Sequence, residues 1–351
     1  TFINFSHSGK ILLEYVGNNC RIQLNNEEKL NAIDFDMVRT LRDETRAWQK
    51  NYPPVILLTA SKSSKAFCAG GDIKTVYNDI VAQQISDTER YFAEEYALDY
   101  FYSQLPLRGT AMVAIWDGIV MGGGVGLSIF SSFVVASERV VFAMPETKIG
   151  LFPDVGVMSK LSRLPKGLAR AIAVCGLKLY GSDVYFAGLS THYVPSQKIY
   201  ACSDEIVHLQ TKGFSSVQAV SQVLEKYHRE PSAEEKISFE SKLRSAEASF
   251  EGEKILDIYA RLQKLQDSSS KEYTKAMNYN SPYWMAITFK YLEKSSTMTV
   301  RDVFETDYRL VKQAIRSSDL ERGIKKLLIE KSSTRPEWVP TSLIDVSDTV
   351  V

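Results

Sequence analysis

Histidine is scarce, with four residues in 351, and none falls in an HExxH or comparable ligand spacing. Cysteine is equally scarce. Cys20, Cys68, Cys175 and Cys202 form no CxxC pair and no dense framework. That excludes a disulfide-stapled module and predicts buried free thiols in a reducing compartment. No metal site is expected from either residue type. No apolar run approaches the ~20 residues that span a bilayer. An excess of one charge is missing too: Lys+Arg and Asp+Glu each number 42, giving a formal net charge of zero. A chain that binds nucleic acid or a membrane surface along its whole length is thereby disfavoured, although a local basic patch is not. The chain opens on Thr1 rather than Met, the expectation for a processed or trimmed form whose targeting segment is missing.

What is present is 44% hydrophobic residue, enough for a sizeable core, in a length that suits one large domain or a domain with an appendage. Residues 1 to about 200 mix short strand patterns with helices. "KILLEYV" and "CRIQLN" alternate apolar and polar residues around Gly17-Asn18-Asn19, which predicts a hairpin. "DFDMVRTLRDETRAWQKN" places Met37, Val38, Leu41 and Trp48 near one helical face, with Asp34 as cap. "PPVILLTAS", "TAMVAIWDG" and "FVVAS" read as strands, separated by the helical "ISDTERYFAEEYALDYFYSQL" and the helix-starting "GGGVGLSIFSS". Strand and helix alternating at this spacing imply strands covered by helices. From about residue 201 to 351 strand signals fade. Amphipathic helices are predicted at "SSVQAVSQVLEKYH", "SAEEKISFESKLRSAEASF", "SPYWMAITFKYLEK", "TVRDVFETDYRLVKQAIR" and "LERGIKKLLIEK", with turns at "SSSKEY" and "KSSTRPEW". The sequence therefore predicts an α/β core over 1–200 with a helical C-terminal region, 201–351, packed on it.

Three stretches carry chemistry. "KAFCAGGDI", Lys65 to Ile73, follows a strand with Ala69-Gly70-Gly71, where little or no side chain keeps a ligand from the backbone. An ordinary tight turn would look the same. "DGIVMGGGVGLS", Asp117 to Ser128, has glycines at 122, 123, 124 and 126 where a strand yields to a helix. It is neither a phosphate-binding P-loop nor the dinucleotide fingerprint. Each glycine costs about 1 kcal/mol in a helix interior. Close packing, or amides exposed to a ligand, must offset that cost. "VFAMPETKIGLFPDVG", residues 141 to 156, sets Glu146 and Asp154 in apolar surroundings, each directly after a proline. Desolvation raises a carboxyl pKa, which suits a group that exchanges protons near neutral pH. The alternative makes Glu146 a helix-start carboxylate and Asp154 the N-cap of a helix beginning near Val155. Together, two small-residue loops could each give one N–H to a single oxygen, an oxyanion hole, beside a carboxylate that activates water or takes a proton.

These motifs, with "DVYFAGLSTHYV" further on, resemble the crotonase (enoyl-CoA hydratase/isomerase) superfamily, most closely its 3-hydroxyisobutyryl-CoA hydrolase branch. The resemblance covers nearly the whole chain. It implies a crotonase-like spiral of ββα units with a helical C-terminal region. It places the oxyanion-hole amides on Gly71 and Gly123, the catalytic carboxylates on Glu146 and Asp154, and substrate contacts on Glu95, Gly123, Glu146 and Asp154. Hydratases of the superfamily carry a glutamate where this chain has Gly126, and a small residue where it has Asp154. Dienoyl-CoA isomerases also want an acid at 126. The pattern here therefore favours thioester hydrolysis, with Glu146 as nucleophile or as general base. The implied partner is an acyl-CoA; no nucleic acid, membrane, metal or cofactor is implied, since coenzyme A is part of the substrate. Lys62 and Lys65 are either phosphate contacts for it or simply solvated lysines. The resemblance further implies homo-oligomers, a mitochondrial matrix address and a place in valine breakdown. Two other readings are a structural component of the mitochondrial ribosome small subunit and an enoyl-CoA isomerase using Glu146 alone. Val157, where the family has glycine, and Arg322, where it has an acid before Gly323, depart from the pattern.

Overall fold

The computed structural model describes residues 2–5, 9–210, 215–265 and 267–346. Among the described residues eleven strands form two sheets: β1 (Phe2–Phe5), β2 (Ile11–Val16), β3 (Asn19–Leu24), β4 (Val55–Ala60), β5 (Ala66–Cys68), β6 (Ala111–Trp116), β7 (Ile119–Met121), β8 (Phe133–Ala136), β9 (Val141–Ala143), β10 (Leu179–Tyr180) and β11 (His192–Tyr193). The larger sheet runs β1-β2-β3-β4-β6-β8-β11 and the smaller β10-β9-β7-β5. The predicted hairpin is β2–β3, with Val16 opposite Asn19 and Gly17 at φ 62°, the left-handed conformation that a two-residue hairpin turn asks of its first residue. From β3 onward the large sheet is parallel. Its central strands are covered and read as continuous apolar runs, as β4 and β6 do. The predicted Asp34 cap is present, its Oδ1 accepting the Met37 N–H at 3.0 Å ahead of the helix Phe35–Ala47.

The residues sort into two compact units. The first comprises 1–71, 94–142 and 179–236; the second comprises 72–93, 143–178 and 237–351. The first holds both sheets. Its core joins Leu57, Val113 and Val135 to Ile199, Ile206 and Val223 from the helices Ser196–Val207 and Ser216–Tyr227. The second is helical, with Ala171, Ile258, Tyr273, Met277 and Phe289 at the centre of its core. The mixed α/β class and the helical C-terminal region match the sequence reading.

Two local expectations are corrected. "SSSKEY" is not a turn but the start of the helix Ser268–Tyr279. Asp267 caps it by accepting the Ser270 N–H at 2.9 Å, and Ser270, Tyr273 and Met277 turn inward at helical spacing. Serine's reluctance in a helix is outweighed by that cap and by burial of one face. Asp154 caps no helix. The next helix begins only at Met158, behind Val157, and no side chain caps it.

Within the second unit, the helix Ser318–Ile324 meets the turn 146–150 backbone to backbone. A Cβ on Gly323 would lie 2.3 Å from the Ile149 carbonyl oxygen, and one on Gly150 2.4 Å from the carbonyl of Asp319. Gly323→Ala is therefore expected to destabilise the protein by about 1–3 kcal/mol, as overpacking does. A denaturant melt in which Gly323→Ala kept the wild-type midpoint would contradict this packing.

Candidate active site

In the first unit, the segment 65–71 is braced from the side. Asn31 donates to the Ala66 carbonyl at 2.9 Å, Ala69 N–H to Leu30, and Ile33 N–H to Gly70. This holds Gly70 and Gly71 against the glycine turn that follows β7. Gly122 sits at φ 45°, and Gly123–Gly126 form a single helical turn. The glycines divide the two explanations the sequence left open. Gly124 is there for packing: a Cβ on it would lie 2.5 Å from the Cys68 Cβ and 2.8 Å from its carbonyl oxygen. Gly123 instead faces Gly71 and Glu95. A Cβ there would lie 3.5 Å from the Gly71 nitrogen and 2.5 Å from Glu95 Oε1. Among the described residues, neither the Gly71 nor the Gly123 N–H donates to a backbone carbonyl. Ser128 locks the turn by donating to the Gly124 carbonyl at 2.6 Å while accepting from Trp116 Nε1 at 2.9 Å.

Glu95 is buried on the helix Ile85–Gln104, and Asp99 is buried one turn further along the same face. Sequence reading missed Asp99, although its i,i+4 spacing from Glu95 is legible. Cys68 lies close enough to feel both charges. Burial first, then these neighbours, push its thiol up to about 12, so it is no thiolate nucleophile. Burial likewise pushes Cys20 and Cys202 to about 12 and Cys175 upward. Lys62 and Lys65 are exposed, and the Lys62 ammonium stands 5.1 Å over the Tyr200 ring. Among the described residues no His/Cys/Asp/Glu cluster could hold a metal, and no helix is long and apolar enough to cross a membrane.

In the second unit, Glu146 and Asp154 come together. Glu146 does begin a helical turn, the 3-10 segment Glu146–Ile149, as the helix-start alternative had it, and its carboxyl is buried. Its Oε2 has no hydrogen-bond partner among the described residues. Burial, and then the Asp154 charge, hold its pKa well above the usual carboxylate range. Asp154 is 4% exposed between Phe152 and Val155, both buried. The turn is pinned around Thr147, whose hydroxyl donates to the Val174 carbonyl at 2.9 Å and accepts from Asn280 at 2.9 Å. The Ser281 N–H donates to the Thr147 carbonyl at 3.0 Å. Arg322 points away from this chemistry, donating to the Glu337 carbonyl at 2.7 Å.

The model of the enoyl-CoA hydratase/isomerase family matches residues 19–351. The chain belongs to that family. It is 35% identical over 345 residues to the mitochondrial 3-hydroxyisobutyryl-CoA hydrolase of Rattus norvegicus, covering 98% of this chain and 88% of the relative. It is 35% identical over 341 residues to that of Homo sapiens, covering 97% and 86%. Among solved structures it is similar to a carnitinyl-CoA dehydratase from Mycobacterium thermoresistibile, at 27% identity and TM-score 0.86 over 97% of this chain and 94% of that one. An enoyl-CoA hydratase from Rhodobacter sphaeroides gives 25% and 0.83 over 97% and 95%. Family membership establishes the crotonase fold.

A carboxyl whose pKa is raised on folding stabilises the folded state below its unfolded value, near 4.3, and loses that contribution as pH rises through the folded value. Glu146→Gln removes the group. The variant is expected to melt above wild type at pH 7, with the gap closing toward pH 4. Equal melting temperatures across that range would show that Glu146 titrates normally.

Proposed function

We propose that the protein is a thioesterase of the 3-hydroxyisobutyryl-CoA hydrolase type: acyl-CoA and water give a carboxylic acid and free coenzyme A. Similarity to those hydrolases over 97–98% of the chain supports the substrate class. The observation that carries the chemistry is the buried pair Glu146 and Asp154, on a chain that has glycine at 126.

The Gly71 and Gly123 amides are assigned to the thioester oxygen, where negative charge develops. Removing one such donor costs roughly 3–4 kcal/mol in comparable sites. Glu146 then acts in one of two ways. As nucleophile it displaces the thiolate and forms a mixed anhydride that water opens. As general base it takes the proton of the attacking water. Either route consumes one water and breaks one C–S bond. Asp154 moves the accompanying proton, to the leaving thiolate or from the water. Glu95 contacts the acyl part, and Lys62 and Lys65 contact the coenzyme A phosphates. The scheme draws on no metal or redox cofactor. By the same reading the enzyme works in the mitochondrial matrix, in valine breakdown.

Thiol release over a panel of short acyl-CoAs tests this, with 3-hydroxyisobutyryl-CoA expected to rank first. Glu146→Gln is expected to lose about 100-fold or more, the scale of a general-base contribution. A Glu146→Gln enzyme releasing thiol at the wild-type rate would sink the assignment. Asp154→Asn is expected to slow turnover and to reveal the electrostatics. A neighbouring negative charge raises the Glu146 pKa, so removing it should move the acidic limb of kcat/KM to lower pH. A limb that stays put, or rises, would deny the coupling.

A further inference from the structure

The helix Val300–Arg316 buries Val303, Phe304, Val311, Ala314 and Ile315 on one face, and Asp307 lies in that stripe with no solvent exposure. Its Oδ2 accepts the Gly156 N–H at 2.7 Å. Gly156 closes a turn in which Val155, β-branched and buried, sits at φ 54°, a conformation such a side chain rarely adopts. Asp154 immediately precedes it. The other oxygen, Oδ1, lies 2.6 Å from the Tyr291 hydroxyl, which in turn lies 2.9 Å from the Val303 carbonyl.

With one proton, the Tyr291 hydroxyl can donate to only one of its two acceptors, Asp307 Oδ1 or the Val303 carbonyl. A backbone carbonyl only accepts, and a phenol has one proton. If Tyr291 donates to Val303, it must accept from Asp307, so Asp307 is the neutral acid. In that wiring Asp307 O–H donates to Tyr291, Tyr291 O–H to Val303, and Gly156 N–H to Asp307. We propose that Asp307 is a positioning residue, held as a neutral acid through Tyr291, that clamps the 154–156 turn and so aims Asp154. The groups that face it are the Asp154 carboxyl, the Tyr291 phenol and the Gly156 amide. Burial, with the Asp154 charge adding to it, holds the Asp307 pKa well above the carboxylate range, and no cation counters this among the described residues. Tyr291 is pushed upward as well, by burial and then by Asp307. The inference rests on the hydrolase reading for the role of Asp154, but the clamp itself does not.

Asparagine is the isostere of a neutral aspartic acid: its carbonyl can accept from Gly156 while its amide donates to Tyr291. Asp307→Asn is expected to keep kcat within about two-fold of wild type. Asp307→Leu is expected to lower kcat about 10- to 100-fold at an unchanged KM, the effect of a misaimed catalytic group. Hydrogen exchange at the Gly156 amide should accelerate in Asp307→Leu and not in Asp307→Asn. That readout needs no substrate, so it separates failure of the clamp from failure of the thioesterase reading. Tyr291→Phe, which leaves the Asp307 proton without its acceptor, should fall between the two and serves if the leucine variant does not fold. An asparagine variant as impaired as the leucine variant would overturn the neutral-acid clamp. So would a leucine variant with wild-type kcat and wild-type Gly156 exchange.

Discussion

Withdrawing a carboxyl group from water is the constraint around which the second unit is organised. An ionised carboxylate moved into a protein interior costs several kcal/mol unless it is paired, and among the described residues no cation acts on Glu146 or Asp307. The unit handles the two acids differently. Asp307 is given hydrogen-bond partners on both oxygens. Glu146 keeps one oxygen without a partner among the described residues. A buried acceptor left open is destabilising in the resting protein, and it is also an atom held ready for something else. Buried polar atoms of that kind are where folding stability and activity pull in opposite directions.

Such a cost is sustained only if the surroundings do not relax. Gly150 and Gly323 let two stretches of backbone meet without intervening side chains, so the Glu146 turn is packed directly on backbone at its Ile149–Gly150 end. Thr147, Asn280 and Ser281 add directional bonds to the same turn. Val155 adds a local penalty of about 1–3 kcal/mol for its left-handed conformation. Strain of this size persists where neighbouring groups over-determine the backbone, and the Asp307–Gly156 bond is such a determinant. Helices 130 to 180 residues downstream thus fix the geometry of a short central motif.

That separation in sequence explains what could be read and what could not. The glycine motifs, the Asp34 cap, the β2–β3 hairpin and the Glu146–Asp154 pair are local patterns, decided by residues within a dozen positions of each other. The helix Ser268–Tyr279 was hidden because its serines favour turns, while the force that makes it helical is burial of Tyr273 and Met277 among residues far away. The helices Lys166–Cys175, Ser196–Val207 and Ile255–Leu262 are likewise absent from the sequence reading. Asp307 was concealed in a helix rich in charge. Its signal was present: an acid four residues from both Val303 and Val311, inside the apolar stripe rather than opposite it. Which turn it would brace was not a local property at all.

The fold is shared with a dehydratase and a hydratase at TM-scores above 0.8, so the scaffold by itself does not select the reaction. A few side chains must do so. Adding or removing water across a carbon–carbon double bond calls for two acids that handle the same water, and Gly126 supplies none. What the chain has instead is a second acid next to the first. A negative neighbour raises the pKa of Glu146, and a carboxylate with a raised pKa is a stronger base and a better nucleophile once it ionises. The same neighbour makes Glu146 harder to ionise, so the two effects oppose each other at neutral pH. Hydrolysis tolerates that balance because attack at an acyl carbon needs one strong base at one moment. On the proposed hydrolase reading, Asp154 both raises the Glu146 pKa and carries the accompanying proton.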